Sequence, residues 1–128
     1  MPNPSASLII EHAVVLQLKQ RREFLRVAAV GQKWAAPGLV LQARRYEKNE
    51  ADDGFRIGYT VSRKVGGAVE RNRARRRLRA AAENVMAHHA RPGHDFVLIG
   101  RRATLKRAFP ALVGDLEAAL RKLDAYVE

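Results

Sequence analysis

The 128-residue sequence contains no cysteine, which excludes disulfide frameworks and cysteine-based zinc sites. Aromatic residues make up only 6% of the chain, so few side chains are available to stack on a ligand. The longest apolar stretch, residues 8–16, carries Glu11 and His12 and is too short for a transmembrane helix. Basic residues follow this stretch instead of preceding it, unlike in a secretory signal. We therefore expect a cytoplasmic protein with no membrane contact.

Acidic residues are also scarce: 13 Asp and Glu stand against 24 Lys and Arg, which gives a net charge of +11. Such an excess predicts a polyanionic partner, of which nucleic acid is the commonest kind. Apolar residues reach 47%, which is too many for a disordered basic tail. The length and composition predict one domain with one modest core.

The positive charge is concentrated in residues 71–79, where six of nine residues are arginine and none is acidic. On a helix, like charges three or four positions apart, such as Arg73 with Arg76 and Arg77, repel by roughly 0.2–0.5 kcal/mol per pair. A bound polyanion would remove this repulsion, and the arginine fork matches phosphate oxygens. The run therefore predicts a structured nucleic-acid-binding surface.

Hydrophobic periodicity predicts helices over residues 19–30, 69–89 and 110–126. Strands are predicted over residues 39–44, 55–62 and 95–100, with a hairpin loop over residues 47–54. Residues 8–18 fit a strand or a helix equally well. The order helix, strands, helix, strand, helix predicts an α+β fold, a two-layer sandwich of helices on a small sheet. We expect a poorly defined extension over residues 1–17 and a single RNA-binding domain over residues 18–128.

The predicted second helix has two distinct faces. Helical phase places the apolar face opposite the charged face, with Arg75 and Arg77 on the flanks. In the predicted strand 55–62, one face carries only small side chains beyond Arg56, which leaves room for an extended single strand. Phe24 would either stack on that strand or pack into the core. The apolar face of the helix comprises Ala74, Leu78, Ala81, Ala82 and Val85, and the charged face comprises Asn72, Arg73, Arg76 and Arg79.

No catalytic protein site is visible in the sequence. Phosphate-loop, serine-nucleophile and paired-acid signatures are missing. His88 and His89 are adjacent, so on a helix they point about 100° apart and are poorly placed to share a metal. We therefore predict no catalytic residue and no metal bound by protein side chains.

Residues 62–79 resemble the signature of the bacterial ribonuclease P protein component, in which a Gly-x-Ala-Val lead-in precedes an Arg-Asn-Arg core. The resemblance extends to residues 18–24, 56–58 and 95–97, and it covers residues 18–123. It implies a ribosomal-protein-like fold in which the arginine helix makes a left-handed crossover between parallel strands. General rules of chain connectivity would instead predict a right-handed crossover.

The resemblance also implies a function. Members of this family are subunits of an endonucleolytic ribonucleoprotein, a hydrolase that removes the 5′ leader from precursor tRNA. The RNA subunit performs the hydrolysis with bound Mg²⁺, and the protein binds that RNA and the leader; no protein partner is implied. A structural, ribosomal-type RNA-binding protein without a role in cleavage is the alternative. A nonspecific DNA-compacting protein is a third hypothesis.

Two groups of residues match family positions that contact RNA. At two further positions, Ala28 and Gln42, the family often has aromatic residues, so stacking on the leader would be weaker here unless Trp34 partly substitutes. The predicted RNA-binding residues are Arg63, Lys64, Arg71, Asn72, Arg73, Arg75, Arg76 and Arg79. The predicted leader cleft comprises Phe24, Val40, Gln42, Thr60 and Ser62.

Overall fold

A computed structural model describes residues 7–10, 13–47, 50 and 54–128. Within these residues the chain forms one mixed sheet, three α-helices and a short 3-10 helix, and none of the helices is long and apolar enough to cross a membrane. The strands are β1 (Ser7–Ile10), β2 (Ala13–Gln17), β3 (Gln32–Ala35), β4 (Leu39–Arg45), β5 (Gly54–Thr60) and β6 (His94–Gly100). The α-helices are α1 (Arg21–Val30), α2 (Ala68–His89) and α3 (Phe109–Lys122), and the 3-10 helix spans Arg102–Leu105.

The sheet has the strand order β1-β2-β5-β6-β4-β3. Strands β5 and β6 are parallel neighbours joined through α2, so the expected crossover of the arginine helix is present; its hand stays a prediction. The predicted hairpin over residues 47–54 is wrong, because β6 lies between β4 and β5 and pairs with both. The apolar run of β6 is buried along almost its whole length, and this favours the centre of the sheet.

Helices α2 and α3 cover one face of the sheet. Alternation of side chains along β4, β5 and β6 points residues such as Leu41, Ile57 and Leu98 toward this face. The predicted apolar face of α2 packs there and is buried as expected, with Met86 in addition. Leu78 from α2 and Leu116 from α3 are completely buried in the same cluster. This is the main hydrophobic core, and the α+β fold class is confirmed.

Helix α1 lies on the opposite face of the sheet. Val27 of α1 packs with Leu18 and Val97 in a small second core, flanked by the partly buried Phe24 and Ile99. The rest of α1 is largely exposed, and Val27 is its single buried residue. Because one short helix cannot cover the whole face, part of the sheet is left open beside it.

Several elements differ from the predicted ones. The edge strand β3 is exposed at all four residues and lacks apolar alternation, so the sequence carries no signal for it. Strands β1 and β2 fall within the expected extension over residues 1–17, whose division from the domain stays a prediction. Helix α3 ends at Lys122 rather than residue 126, because Asp124 adopts a left-handed backbone with φ of 55°. Tyr126 instead forms a β-bridge with Ala90.

Candidate nucleic-acid interface

The solvent face of α2 carries the concentrated positive charge that the sequence predicts. Among the ion pairs formed by the described residues, none involves an arginine of α2. The charge of this face is therefore not neutralised by carboxylates within the described part of the chain. A rigid surface of this kind attracts polyanions over a range set by ionic strength. We name the arginine face by its exposed residues, Asn72, Arg73, Arg76 and Arg79.

Three other arginines of α2 make contacts within the protein. Arg77 donates through Nε to the carbonyl of Thr104 at 2.7 Å, and its guanidinium also donates to the carbonyl of Arg107. Arg75 donates to the side-chain oxygen of Asn72 at 3.1 Å, one turn earlier. Arg71 lies 3.3 Å from the carbonyl of Gly67 and is only partly exposed. Arg77 therefore fastens α2 to the segment before α3, whereas Arg71 and Arg75 remain at the margin of the arginine face.

The segment between β5 and α2 presents to solvent two of the predicted RNA-binding residues, Arg63 and Lys64. Val65 is buried beside them and anchors the segment to the core. Gly66 has a φ of 156°, in a region that side chains disfavour, so the turn into α2 requires glycine here. Arg102 donates to the carbonyl of Lys64 at 2.9 Å, which holds the segment from the other side.

Arg79 differs from the rest of the arginine face because its guanidinium lies 5.4 Å from the ring centre of Tyr59. This distance allows a cation–π interaction, of about 0.5–1 kcal/mol at an exposed site. Burial raises the pKa of Tyr59 to about 12, so its hydroxyl stays protonated at neutral pH. Arg79 thus combines an exposed charge with a contact to the sheet.

An open groove of about 420 Å³ lies between α1 and the sheet. Its floor follows from strand register, since Thr60 pairs with Ile99, and Gly58 and Gln42 both pair with Val97. We call this the α1 groove. Its lining is mostly apolar and comprises Arg21, Phe24, Leu25, Ala28, Gln42, Tyr59, Thr60, Val97 and Ile99.

Three of the five residues predicted for the leader cleft, Phe24, Gln42 and Thr60, line this groove. Val40 lies on the same sheet face beside Ile99 but outside the lining, and Ser62 is exposed beyond the end of β5. The sequence did not indicate the other groove residues, because their proximity depends on β6 lying between β4 and β5. If apolar and polar residues alternated along β6, the sequence would show which of its side chains face the groove. The apolar run of β6 is continuous, so the sequence does not show this. The lining residues missed in this way are Arg21, Leu25, Tyr59, Val97 and Ile99.

Trp34 does not substitute for the missing aromatics in the α1 groove. It pairs with Leu41, whose side chain lies in the main core on the other face of the sheet. The Lys122 ammonium lies 5.3 Å from the ring centre of Trp34. Ala28 and Gln42 do line the groove, so Phe24 is the aromatic side chain that α1 contributes to it.

An ion-pair network fixes the start of α1 on the sheet. Glu23 accepts hydrogen bonds from the backbone of Lys19 and Gln20 through one carboxylate oxygen, and from Arg56 through the other. Arg56 also donates to both oxygens of Asp95, at 2.8 and 2.6 Å. One carboxylate thus caps α1 and ties it to β5, next to the position of Phe24.

Asp95 is the centre of this network and is almost completely buried. Arg44 donates to it at 3.1 Å and Tyr46 at 2.8 Å, and Arg44 also forms a forked pair with Glu50 at 2.9 Å. Burial alone would raise the pKa of Asp95, but hydrogen bonds from Arg56, Tyr46 and Arg44 outweigh it and lower the pKa. The network is therefore a structural brace between three strands, with ionised carboxylates at neutral pH.

The described residues contain no group of three or more His, Asp or Glu side chains that could hold a metal ion. His88 is exposed, and His89 stacks on Tyr126 with ring centres 4.7 Å apart. His94 is buried, and its Nδ1 lies 3.0 Å from the carbonyl of Pro92. These contacts make the histidines parts of helix-end and strand-end packing.

Comparison with known proteins gives a consistent family. The family model described as Ribonuclease P matches residues 14–124. A ribonuclease P protein component of Paramagnetospirillum magneticum is 53% identical over 110 residues, which cover 85% of this chain and 83% of the relative. Another, of Ruegeria pomeroyi, is 46% identical and covers 95% and 97% of the two chains.

Solved structures agree with these sequence relatives. The ribonuclease P protein of Staphylococcus aureus superposes with a TM-score of 0.70 at 25% identity, covering 87% of this chain and 97% of that chain. That of Thermotoga maritima gives a TM-score of 0.66 at 26% identity, covering 84% and 94%. With the arginine face and the α1 groove in place, these matches show that the chain belongs to the family of bacterial ribonuclease P proteins.

Proposed function

We propose that this chain is the protein subunit of a cytoplasmic ribonuclease P and assists its RNA subunit in removing the 5′ leader from precursor tRNA. The observation that carries the proposal is the arginine face, a rigid one-signed surface without carboxylate partners among the described residues. Phosphate groups are the partners that such a surface binds, by charge-assisted hydrogen bonds and counterion release. Membership of the ribonuclease P protein family indicates that the RNA partner is the ribonuclease P RNA.

We assign the two surfaces to two RNA segments. The arginine face and the adjoining Arg63 and Lys64 bind the structured RNA subunit, since phosphates of a folded RNA are fixed in space and match fixed guanidinium groups. The α1 groove takes the extended leader. It is open and mostly apolar, and Phe24 offers a ring on which a base can stack, which contributes about 1–3 kcal/mol per base.

Under this proposal the protein holds RNA, and phosphodiester hydrolysis resides in the RNA subunit with its Mg²⁺. The described residues contain no acidic or histidine cluster suited to a metal. By binding leader and RNA subunit together, the protein raises precursor affinity and positions the scissile bond. Positioning of this kind lowers the barrier by reducing the entropy lost in the reaction.

Reconstitution tests the proposal. The RNA subunit is assayed for precursor tRNA cleavage at limiting Mg²⁺, with and without the folded protein. We expect the protein to increase cleavage at low Mg²⁺ and the increase to shrink as Mg²⁺ rises. A folded preparation that gives no stimulation, or that copurifies with ribosomal RNA and no ribonuclease P RNA, would contradict the proposal.

A leader-length series tests the assignment of the α1 groove. Phe24→Ala should weaken binding of precursors with long leaders by roughly 5- to 150-fold, which corresponds to a loss of about 1–3 kcal/mol of stacking, and should leave mature tRNA binding unchanged. Trp34→Ala is the matched control, because Trp34 is an exposed aromatic residue outside the groove lining. Equal losses for precursor and mature tRNA would rule out a leader role for the groove.

A further inference from the structure

A second pocket, of about 360 Å³, lies at the end of β4 away from the α1 groove. Arg45, Arg91 and His94 are among its lining residues, together with the last residue of α1, Val30. Arg45 follows the groove residue Gln42 by three positions, so the two sites are separated by about 10 Å along the strand. We call it the Arg45 pocket. It shares no lining residue with the α1 groove.

In this pocket, the positive charge of Arg45 and Arg91 is only weakly neutralised by carboxylates of the described residues. Arg45 is exposed and forms no ion pair with any acid among the described residues. Within the described part of the chain, Arg91 meets a single carboxylate, that of Asp124, at 3.7 Å, and the Asp124 side chain is 98% exposed. An ion pair so long and so exposed is strongly screened by water. The guanidinium groups of Arg45 and Arg91 are therefore available to an anion.

Two buried hydrogen-bond donors that have no acceptor in the described part of the chain belong to residues that line the same pocket. Among the described residues, the buried side-chain nitrogen and oxygen atoms without a partner are two, the Nε atoms of Arg44 and Arg91. Both arginines line the Arg45 pocket. A buried donor without an acceptor is costly and rare in folded proteins, and an ordered water or an anion at the pocket wall would satisfy it.

The state of His94 restricts the kind of ligand that the Arg45 pocket can bind. The Nδ1 atom of His94 donates to the carbonyl of Pro92 at 3.0 Å, and burial lowers the His94 pKa, with Arg45 and Arg91 contributing by repulsion. A neutral His94 in this tautomer offers no further donor, so the cationic donors of the pocket are the guanidinium groups of its arginines, beside the side-chain amide of Gln32. Several guanidinium donors around one cavity suit a tetrahedral oxyanion with several acceptor oxygens.

We propose that the Arg45 pocket binds a phosphate group, and that in the ribonucleoprotein this group belongs to the RNA backbone. The naming of RNA as the source rests on the proposed function, whereas the phosphate chemistry rests on the pocket alone. The site would be a third contact, apart from the arginine face and the α1 groove. Helix α1 connects it to the groove, since Ala28 lines one and Val30 the other.

Inorganic phosphate tests the chemistry without RNA. Thermal unfolding of the full chain is followed in phosphate and in chloride at equal ionic strength. We expect saturable stabilisation by phosphate that decreases in the double variant Arg45→Gln and Arg91→Gln and is retained in Lys106→Gln, an exposed cation outside the pocket. The single variant Arg45→Gln should lose part of the response, which guards against misfolding of the double variant. An undiminished response in both variants overturns the proposal.

RNA binding tests the source of the phosphate. The affinity for the complex of RNA subunit and precursor is measured over a range of salt concentrations. Arg45→Gln should reduce the slope of log affinity against log salt by up to about 0.7–0.9, which corresponds to one phosphate contact. An unchanged slope with a lost response to inorganic phosphate would assign the pocket to free phosphate and overturn the RNA contact. Because the inorganic phosphate assay needs no ribonuclease P activity, failure of the proposed function would be recognised separately.

Discussion

The ring of Phe24 lies directly on the backbone of Gly58. A Cβ atom on Gly58 would come within 2.5 Å of the Cε1 and Cζ atoms of that ring, and within 3.0 Å of the Cβ atom of Leu18. Glycine at this position therefore allows α1 to approach the sheet closely. The position of α1, and with it the shape of the α1 groove, depends on this contact.

Gly58→Ala should destabilise the protein and displace Phe24. Overpacking of this kind costs about 1–3 kcal/mol, measured by urea unfolding. We also expect weaker binding of the precursor leader, because the displaced ring alters the groove. Gly114→Ala is the control, since Gly114 is exposed on α3 and an added Cβ meets nothing within 4 Å. It should stabilise the helix by about 0.5–1 kcal/mol, and equal effects of the two substitutions would refute the close contact.

Replacement by alanine should affect different properties at the neighbouring residues Arg76 and Arg77: RNA binding at Arg76 and folding stability at Arg77. Arg76→Ala should lower the salt dependence of RNA binding by up to about 0.9 in log–log slope, with stability unchanged within about 0.5 kcal/mol. Arg77→Ala should cost about 1–3 kcal/mol of stability, because the carbonyls of Thr104 and Arg107 lose their donor. Titrations over a salt series and urea unfolding separate the two, and a stable Arg77→Ala variant would contradict the bracing role.

Leu78→Ala should destabilise the protein by about 2–5 kcal/mol, since Leu78 is fully buried between α2 and the sheet. Leu25→Ala removes the same atoms from a side chain that is 53% exposed, and its effect on folding should be much smaller. Urea unfolding of both variants measures the difference. Similar losses for the two would contradict the orientation of α2.

Glu50 should make the folding stability of the protein vary with pH in the acidic range. Hydrogen bonds from Arg44 and from the backbone of Glu47 lower the pKa of Glu50 to about 2, from an ordinary value of 4.5. A lowered folded-state pKa contributes stability that is complete above the unfolded pKa and is lost as the pH falls through the folded pKa. Glu50→Gln should therefore lower the melting temperature near neutral pH, and the difference from the wild type should vanish between about pH 5 and about pH 2.

The control for this experiment is Glu83→Gln. Glu83 is exposed on α2 and forms no ion pair among the described residues. Its replacement should change the melting temperature little at any pH. A constant difference between Glu50→Gln and the wild type across this pH range would exclude the ion pair with Arg44 as its cause.

The helices were well predicted because helical phase is a local property. The alternation of Ala74 and Leu78 with Arg73 and Arg76 is visible in the sequence, and burial in the structure follows it. The strand pairing was predicted only in part: the parallel pairing of β5 with β6 follows from the resemblance, whereas the predicted hairpin of β4 with β5 is wrong. A continuous apolar run such as β6 fits any central position, and its place between β4 and β5 depends on contacts between residues about 40 to 60 positions apart in the chain.

In the candidate site, too, some features could be predicted from local sequence pattern and others could not. The sequence by itself determined the arginine face, since charge and helical period suffice to place it on one side of α2. Only the tertiary structure decided that Arg77 braces the fold, that Phe24 rests on Gly58, and that Arg44 and Arg91 share a pocket. Each of these depends on which distant segments pack together, and burial and register, which no local pattern contains, set that packing.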